Sequence, residues 1–230
     1  MDTSGLIDVR RRIVHAAESS GRAADDVVLV VVSKQRSDAE VMTVYASGER
    51  VFGENRQQGL QSRLDGELPD DIEWHFVGPL QSRKVRYVAS AARLLHSLDR
   101  FSVADRWVAS QGGSVLVQFN LAGEPQKSGF NPRNASQVLD DLLVRGVDVR
   151  GVMAIPPLEA NPRASARWFS QLRSIFESYR DNLDSIDVCS MGMSNDFEVA
   201  IREGATMIRV GRAIFEATNN GLDRRQAGTT

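Results

Sequence analysis

Lysine is scarce in this sequence, where Lys and Arg together number 28 and only Lys34, Lys84 and Lys127 are lysines. Among the basic side chains, only an amine can form a Schiff base with a carbonyl compound. Lys34 directly follows the apolar run VVLVVVS at residues 27–33. An amine at the edge of a dry interior is poorly solvated and available as a nucleophile. Lys34 is therefore a candidate Schiff-base residue, and the alternative is a charged residue that simply ends a strand.

Two later segments have the composition of anion-binding turns, SMGMSND at 190–196 and RVGRAIF at 209–215. Small residues that open a helix leave backbone N–H groups unpaired, and these groups attract phosphate. Ser194 could add a hydroxyl donor, and Gly211 would let the phosphate approach the main chain. The alternative is that Gly192 and Gly211 only permit tight turns and that Ser194 or Asn195 only caps a helix.

Other catalytic signatures are missing from the sequence. There is no H-E-x-x-H, C-x-x-C or G-x-S-x-G motif, so neither a metal site nor a serine nucleophile is expected. His75 lies within WHF on a predicted strand, where a buried core histidine is commoner than a catalytic one. Cys189, the single cysteine, lies in an apolar strand and is interpreted as a buried hydrophobic residue.

Composition indicates an ordinary globular chain of 230 residues, 42% hydrophobic and 25% charged. A net charge of -2 offers no general attraction for nucleic acid or anionic lipid. The segment MDTSGLIDVRRRIVHAA lacks the apolar run of a secretion signal, and a lone cysteine cannot form an intramolecular disulfide. We therefore expect a cytoplasmic protein without membrane or nucleic-acid partners, and we expect a monomer.

The elements that must position these residues alternate along the chain. An amphipathic N-terminal helix with Leu6, Val9, Ile13 and Val14 on one face is followed by eight strand–helix units. This pattern predicts a single (β/α)8 TIM barrel over residues 1–217, with a loose polar tail at 218–230. The alternative is a doubly wound open sheet, but no G-x-G-x-x-G follows the first strand.

Active sites of such barrels lie at the rim formed by the loops that follow the strands. The candidate rim residues share only their position just after a predicted strand. They are Lys34, Asn55, His75, Asp99 or Arg100, Asn120, Glu124, Lys127, Met153, the segment 190–194, and the segment 209–212.

The sequence resembles the pyridoxal phosphate homeostasis proteins over roughly residues 5–217. The resemblance is carried, in order, by VVVSK ending at Lys34, FGEN at 52–55, WHFVGPLQSRK at 74–84, QFNLAGEPQKSGF at 118–130, GVMAIPP at 151–157, SMGMSNDFEVAI at 190–201 and RVGRAIF at 209–215. It implies a fold type III barrel like the N-terminal domain of alanine racemase, which holds pyridoxal 5′-phosphate (PLP) as an aldimine with Lys34. It further implies a carrier or regulator of PLP without an established catalytic reaction, which passes the cofactor to apoenzymes.

The resemblance also assigns roles within a cofactor-binding set that includes Ser190. Ser194, Gly211 and the amide of Arg212 would hold the phosphate, and Arg209 would face the pyridine nitrogen. The remaining members would line the ring: Asn55, His75 and Met153. The sequence departs from the family pattern in places, since Arg212 replaces a usual threonine, Glu216 a glycine and Arg56 a tyrosine, and Gln35-Arg36 after the lysine is atypical.

The residues favour a carrier over an enzyme. PLP enzymes commonly place a carboxylate at the pyridine nitrogen to keep it protonated, and Arg209 cannot accept that proton. Racemisation also needs a second base, and Tyr45, Tyr87 and Tyr179 fall in predicted helices away from the rim. We expect the chain to end after one barrel, without a second domain to supply such a base. Two alternatives stay open: a weak PLP-dependent amino-acid racemase, and a Schiff-base aldolase acting on a sugar phosphate.

Overall fold

A computed structural model describes residues 2–157, 159 and 161–216, and it contains a closed barrel of eight parallel strands in the order of the chain. The barrel closes through pairing of the first strand with the eighth, in the register Val28 with Met207. The predicted (β/α)8 barrel is therefore confirmed, and the open sheet is wrong. The strands are β1 (Val28–Val32), β2 (Val51–Glu54), β3 (Glu73–Phe76), β4 (Leu94–Leu98), β5 (Ser114–Phe119), β6 (Val149–Ala154), β7 (Val188–Ser190) and β8 (Met207–Val210).

Helices surround the barrel and connect its strands. They are α1 (Ser4–Glu18), α2 (Asp38–Ala46), α3 (Gln57–Leu64), α4 (Val85–Ala89), α5 (Phe101–Ala109), α6 (Ala135–Val144), α7 (Ala166–Asn182), α8 (Phe197–Arg202) and α9 (Arg212–Phe215). The predicted N-terminal helix is present as α1, which packs against α8 and α9. Its apolar face is buried at Leu6, Val9 and Ile13, as its periodicity predicts. Val14, predicted on the same face, is 40% exposed, because it lies about 100° around the helix from Ile13. None of the helices described is both long and apolar enough to cross a membrane.

Local sequence signals fix several helix starts. Ser37 and Glu40 form a capping box at the start of α2, because the Ser37 side chain accepts from the Glu40 amide and the Glu40 side chain accepts from the Ser37 amide. Asn131-Pro132 and Asn161-Pro162 each open a short 3-10 turn that leads into the following α-helix. Each asparagine caps its turn by accepting an N–H bond from the residue two positions later.

The core has two parts because side chains alternate along each strand. Those that point outward pack against the helices and form the larger cluster. Those that point inward fill the barrel with a smaller apolar layer of Val30, Leu94, Leu116, Met153 and Met207. Above this layer the interior is polar, and the carboxyl ends of the strands open on a cavity. The tail predicted at 218–230 lies outside the described residues.

Candidate functional site

A cavity of about 430 Å³ lies at the rim where the strands end. Its wall comes from the loops after β1, β2, β3, β6, β7 and β8. The lining residues are Val32, Lys34, Asn55, Val77, Gly78, Pro79, Ile155, Met193, Ser194, Asn195, Asp196, Arg209, Gly211 and Arg212. Six of the nine predicted site residues are among them: Lys34, Asn55, Ser194, Arg209, Gly211 and Arg212. The structure therefore brings together residues that are up to 178 positions apart in the chain (212 − 34).

Lys34 lies in a tight turn just after β1 and is exposed. The turn is closed by the Arg36 amide, which donates to the Ser33 carbonyl oxygen at 3.0 Å. The residue after the lysine, Gln35, has a φ of 61°, in the left-handed region that favours glycine. The predicted strand end at residue 33 is thus one residue late, and the turn directs Lys34 to the cavity wall.

The loops after β7 and β8 bring a hydroxyl, from Ser194, and the main chain at Gly211 to the cavity wall next to β1. A Cβ atom on Gly211 would lie 2.8 Å from the Val32 carbonyl oxygen, so only glycine fits there without a shift. The Ser194 Oγ atom accepts a 3.3 Å hydrogen bond from the Ala213 amide, which leaves its own proton free for another partner. The N-cap of α8 is Asp196, not Ser194 or Asn195. The alternative role of a helix cap still holds for Ser194 at α9, because Ala213 lies in the first turn of that helix.

Arg209 is a buried cation on the cavity floor, with 4% of its surface exposed. Its guanidinium donates to the Ser190 Oγ atom and, at 2.9 Å, to the Ala154 carbonyl oxygen. No carboxylate of the described chain lies within 4.0 Å of it. Desolvation lowers the pKa of Arg209 to about 10. A buried guanidinium without an ion-pair partner is suited to an acceptor group from a ligand.

A chain of polar contacts continues from Arg209 into the barrel. The Ser190 Oγ atom lies 3.1 Å from His96 Nδ1, and His96 Nε2 lies 3.0 Å from His75 Nδ1. His75, Ser190 and Met153, which the resemblance also assigns to the cofactor, are buried and are not among the residues that line the cavity. Met153 instead belongs to the apolar layer of the barrel interior.

The remaining rim candidates do not line this cavity. The Asn120 side chain donates to the carbonyl oxygens of Glu124 and Lys127, and the Lys127 Nζ atom lies 2.8 Å from Glu124 Oε1. These three residues organise their own loop. Lys84 donates to Gln58 Oε1 at 3.1 Å beside a separate groove. Of the three lysines, only Lys34 lines the cavity.

Two further groups at or near the cavity, Asp196 and His96, are not among the predicted site residues. Asp196 is a lining carboxylate whose pKa is raised, chiefly by desolvation, while its Oδ1 atom accepts from the Met193 amide at 2.7 Å. His96 lies inside the barrel beside His75. The alternation of side chains along β3 and β4 could have predicted that His75 and His96 both point into the barrel.

The assembled groups suit a small anionic compound that carries a carbonyl group. Lys34 offers an amine, Ser194 a hydroxyl donor and Arg209 a buried positive charge. Gly211 allows such a ligand to approach the main chain. An aldehyde or ketone can condense with an amine, and the donors can hold an anion such as phosphate.

Comparison with known proteins gives consistent matches along most of the chain. The family model described as the alanine racemase N-terminal domain matches residues 10–219. A pyridoxal phosphate homeostasis protein of Aquifex aeolicus is 37% identical over 217 residues, which cover 91% of this chain and 95% of the relative. An unknown protein from Bifidobacterium adolescentis superposes with a TM-score of 0.86 at 31% identity, covering 93% of this chain and 94% of that chain. PipY of Synechococcus elongatus with PLP bound gives a TM-score of 0.74 at 31% identity, covering 88% of this chain and 99% of that chain.

Proposed function

The chain belongs to the family of pyridoxal phosphate homeostasis proteins, and on this premise we propose that it binds PLP in the rim cavity and acts in PLP homeostasis as a carrier or regulator. Lys34 forms the covalent link to the cofactor. When bound, PLP supplies an aldehyde that condenses with the Lys34 amine, forming a C=N bond and releasing water.

The observation that carries this proposal is the convergence of Lys34, Ser194, Arg209 and Gly211 on one cavity of about 430 Å³. These residues fit the cofactor by the chemistry of their donors. The Ser194 hydroxyl and the main chain at Gly211 suit a phosphate group, and the buried Arg209 suits an acceptor such as a ring nitrogen. The cavity also has apolar walls from Val32, Val77 and Ile155, which suit the face of an aromatic ring.

We assign each predicted residue a role within this proposal. Ser194, Gly211 and the Arg212 amide hold the phosphate, and the Arg212 guanidinium replaces the hydroxyl of the usual threonine with a positive charge. Asn55 forms part of the wall beside the ring. The residues beneath the cavity act indirectly: Ser190 and His75 support the floor through the polar contacts of Arg209, and Met153 supports it by packing.

The carrier role rests on Arg209. A guanidinium donates hydrogen bonds and cannot accept a proton from the pyridine nitrogen. The ring then stays neutral at that nitrogen, so the bound cofactor is a weak electron sink and stabilises a carbanion poorly. Arg209 thus favours storage and delivery of PLP over rapid turnover of amino acids.

Asp196 supports a second candidate function, a weak PLP-dependent reaction such as amino-acid racemisation. Its carboxylate lines the cavity, and burial raises its pKa, so the group is better suited to exchange a proton near neutral pH than an exposed carboxylate. If this function is real, racemised amino acid accumulates in proportion to protein and is lost in both Lys34→Ala and Asp196→Asn. The carrier proposal expects no such product.

The decisive experiment for PLP binding is reduction of the PLP-loaded protein with borohydride, followed by peptide mass mapping. We expect a yellow protein that bleaches on reduction and carries a phosphopyridoxyl group on Lys34. Lys34→Ala should lose this adduct and stay folded, because Lys34 is exposed and contributes little to the core. Lys84→Ala and Lys127→Ala are matched controls that should keep it.

Two results of this mapping would contradict the assignment. An adduct on Lys84 or Lys127 alone would place the cofactor elsewhere. A protein that takes up no PLP but traps a sugar phosphate on Lys34 would instead be a Schiff-base aldolase.

We further propose that the protein acts in the cytoplasm as a monomer and delivers PLP to apoenzymes. Light scattering of the loaded protein tests the monomer. Transfer is tested by mixing the loaded protein with a PLP-free apoenzyme and following the recovery of that enzyme's activity; recovery no faster than with an equal amount of free PLP would contradict delivery.

A further inference from the structure

We propose that Arg63, held by Glu54, is a positioning residue that fixes the turn carrying Lys34 and thereby sets how fast Lys34 forms its covalent link. The inference rests on the proposed function, since it concerns the reactivity of Lys34 toward PLP. Arg63 belongs to α3 and does not line the cavity, so it acts only through the main chain of the turn.

The Arg63 guanidinium contacts both ends of this turn. Its Nη2 atom donates to the Ser33 carbonyl oxygen at 3.2 Å and to the Arg36 carbonyl oxygen at 2.6 Å. Ser33 and Arg36 are the first and last residues of the four-residue turn, and Lys34 is its second residue. A single planar group therefore ties the main chain on both sides of the lysine.

Two carboxylates fix the position of Arg63 itself. Its Nε atom donates to Glu54 Oε1 at 3.2 Å, and its Nη1 atom contacts the Asp38 carboxylate at the start of α2. Glu54 is 2% exposed and also accepts a 2.9 Å hydrogen bond from the Ser33 hydroxyl. Because this ion pair is buried, it is only weakly screened by solvent and holds a defined geometry.

The turn needs such a restraint because of Gln35. A positive φ in a residue with a Cβ atom is strained, and it persists only where the surrounding structure enforces it. At this position of a turn, glycine is the residue that adopts a positive φ without strain. Without Arg63, we expect Gln35 to leave its φ of 61° for part of the time, which would carry the Lys34 side chain away from the cavity.

The variant Arg63→Lys tests whether the several donors of the planar Arg63 guanidinium are needed. It keeps a positive charge beside Glu54 but cannot bond both carbonyl oxygens and two carboxylates at once. We expect PLP to form the borohydride-reducible link about tenfold more slowly, as expected for a misplaced reacting group. Affinity for pyridoxine 5′-phosphate, which lacks the aldehyde, should stay within about twofold of the wild-type affinity. Non-covalent binding of this compound does not require Lys34 to be in place.

Arg22 offers a matched control. It is an arginine that also bonds main-chain carbonyl oxygens, those of Ile201, Ala205 and Asp26, away from the cavity. Arg22→Lys should reduce stability without changing the rate of link formation. A general loss of stability is thereby separated from a change at Lys34.

A second substitution tests the strain directly. If Arg63 serves to hold Gln35 in the left-handed region, Gln35→Gly should restore the rate in the Arg63→Lys background. The control is Gln111→Gly, which relieves the other positive φ of a described non-glycine residue, 54°, in a distant turn. Gln111→Gly should restore nothing.

A measurement without PLP completes the test. Amide hydrogen exchange at residues 34–36 should speed up in Arg63→Lys and return toward the wild-type rate in the double variant with Gln35→Gly. Unchanged exchange together with unchanged link formation in Arg63→Lys would overturn the positioning role. If wild-type protein formed no link at Lys34, the proposed function would fail instead, and the exchange data would still report on the turn.

Discussion

The Nδ1 atom of His75 lies 3.0 Å from the Nε2 atom of His96, inside a barrel that exposes 4% of the first residue and none of the second. A hydrogen bond between two ring nitrogens requires one of them to be unprotonated, so the contact is lost if both rings become charged. Desolvation lowers the pKa of His75 to about 4 and holds the pKa of His96 well below its usual range. The nearby charges of Arg93 and Arg209 act in the same direction on His75 and His96, respectively.

This pair makes stability depend on pH. Below about pH 6.5 the unfolded chain binds protons at these histidines, while folded His75 stays neutral until about pH 4. The free energy of unfolding therefore falls as pH falls through that window, by about 2 kcal/mol between pH 7 and pH 5 for His75 alone. Urea denaturation at several pH values measures the slope, to which His96 adds in the same direction.

The variant His75→Asn should flatten this pH dependence, whatever it does to stability at neutral pH. His15→Asn is the control, because His15 lies on an exposed face of α1. A slope that is the same in His75→Asn and in the wild-type protein would contradict the assignment to the buried pair.

We predict that Ser194→Ala weakens retention of PLP. The Ser194 hydroxyl accepts from the Ala213 amide and has its own proton available for a phosphate oxygen. Loss of one charge-assisted hydrogen bond corresponds to about 1.5–3 kcal/mol in a shielded site. Equilibrium dialysis gives the affinity, and Ser114→Ala, which removes a hydroxyl bonded to exposed Asp148, is the control. Equal retention by Ser194→Ala and wild type would place the phosphate elsewhere.

Gly211→Ala should reduce both stability and PLP affinity. The added Cβ atom would lie 2.8 Å from the Val32 carbonyl oxygen, so β1 and the loop after β8 would have to separate. We expect a loss of about 1–3 kcal/mol in the free energy of unfolding, as for other overpacked positions. Gly66→Ala, whose Cβ atom would have no neighbour closer than 3.4 Å, is the control for thermal melts and PLP titration. A Gly211→Ala variant as stable as the Gly66→Ala variant would show that the close approach is dispensable.

Arg209→Glu should change the electronic state of bound PLP. A carboxylate in place of the guanidinium favours a protonated pyridine nitrogen, so the absorption spectrum and its pH profile should shift. Slow side reactions with amino acids, such as transamination, should increase as the ring becomes a better electron sink. Spectra across pH and product analysis measure both effects.

Arg209→Glu also places a buried carboxylate next to the Ala154 carbonyl oxygen, and two acceptors repel each other. Arg209→Gln is therefore a second, uncharged variant, in which the donor remains but the charge is gone. Full PLP occupancy with spectra identical to wild type in both variants would mean that Arg209 does not touch the ring.

Much of the fold was predictable because its signals are local. The unbroken apolar run before Lys34 indicates a strand buried on both faces, and the capping box at Ser37 and Glu40 marks the start of the next helix. Eight alternations of a predicted strand with a predicted helix specified the barrel. Strand ends were less certain, since β1 covers only residues 28–32 of the apolar run at 27–33. Hydrophobicity alone does not mark where a regular strand begins or ends.

The sequence by itself determined the composition of the candidate site: a lysine after the first strand, a serine and a glycine after the last two, and an arginine within the eighth. Only the tertiary structure decided which of these meet and what supports them. Barrel closure brings Gly211 against Val32, and the same closure aligns His96 with Ser190, 94 positions later. Arg63 reaches the Lys34 turn from α3. Such contacts depend on the strand register and on the path of the connecting helices, and both are set by the geometry of many residues together. Sequence periodicity, in contrast, reports only on neighbours within one helix or strand.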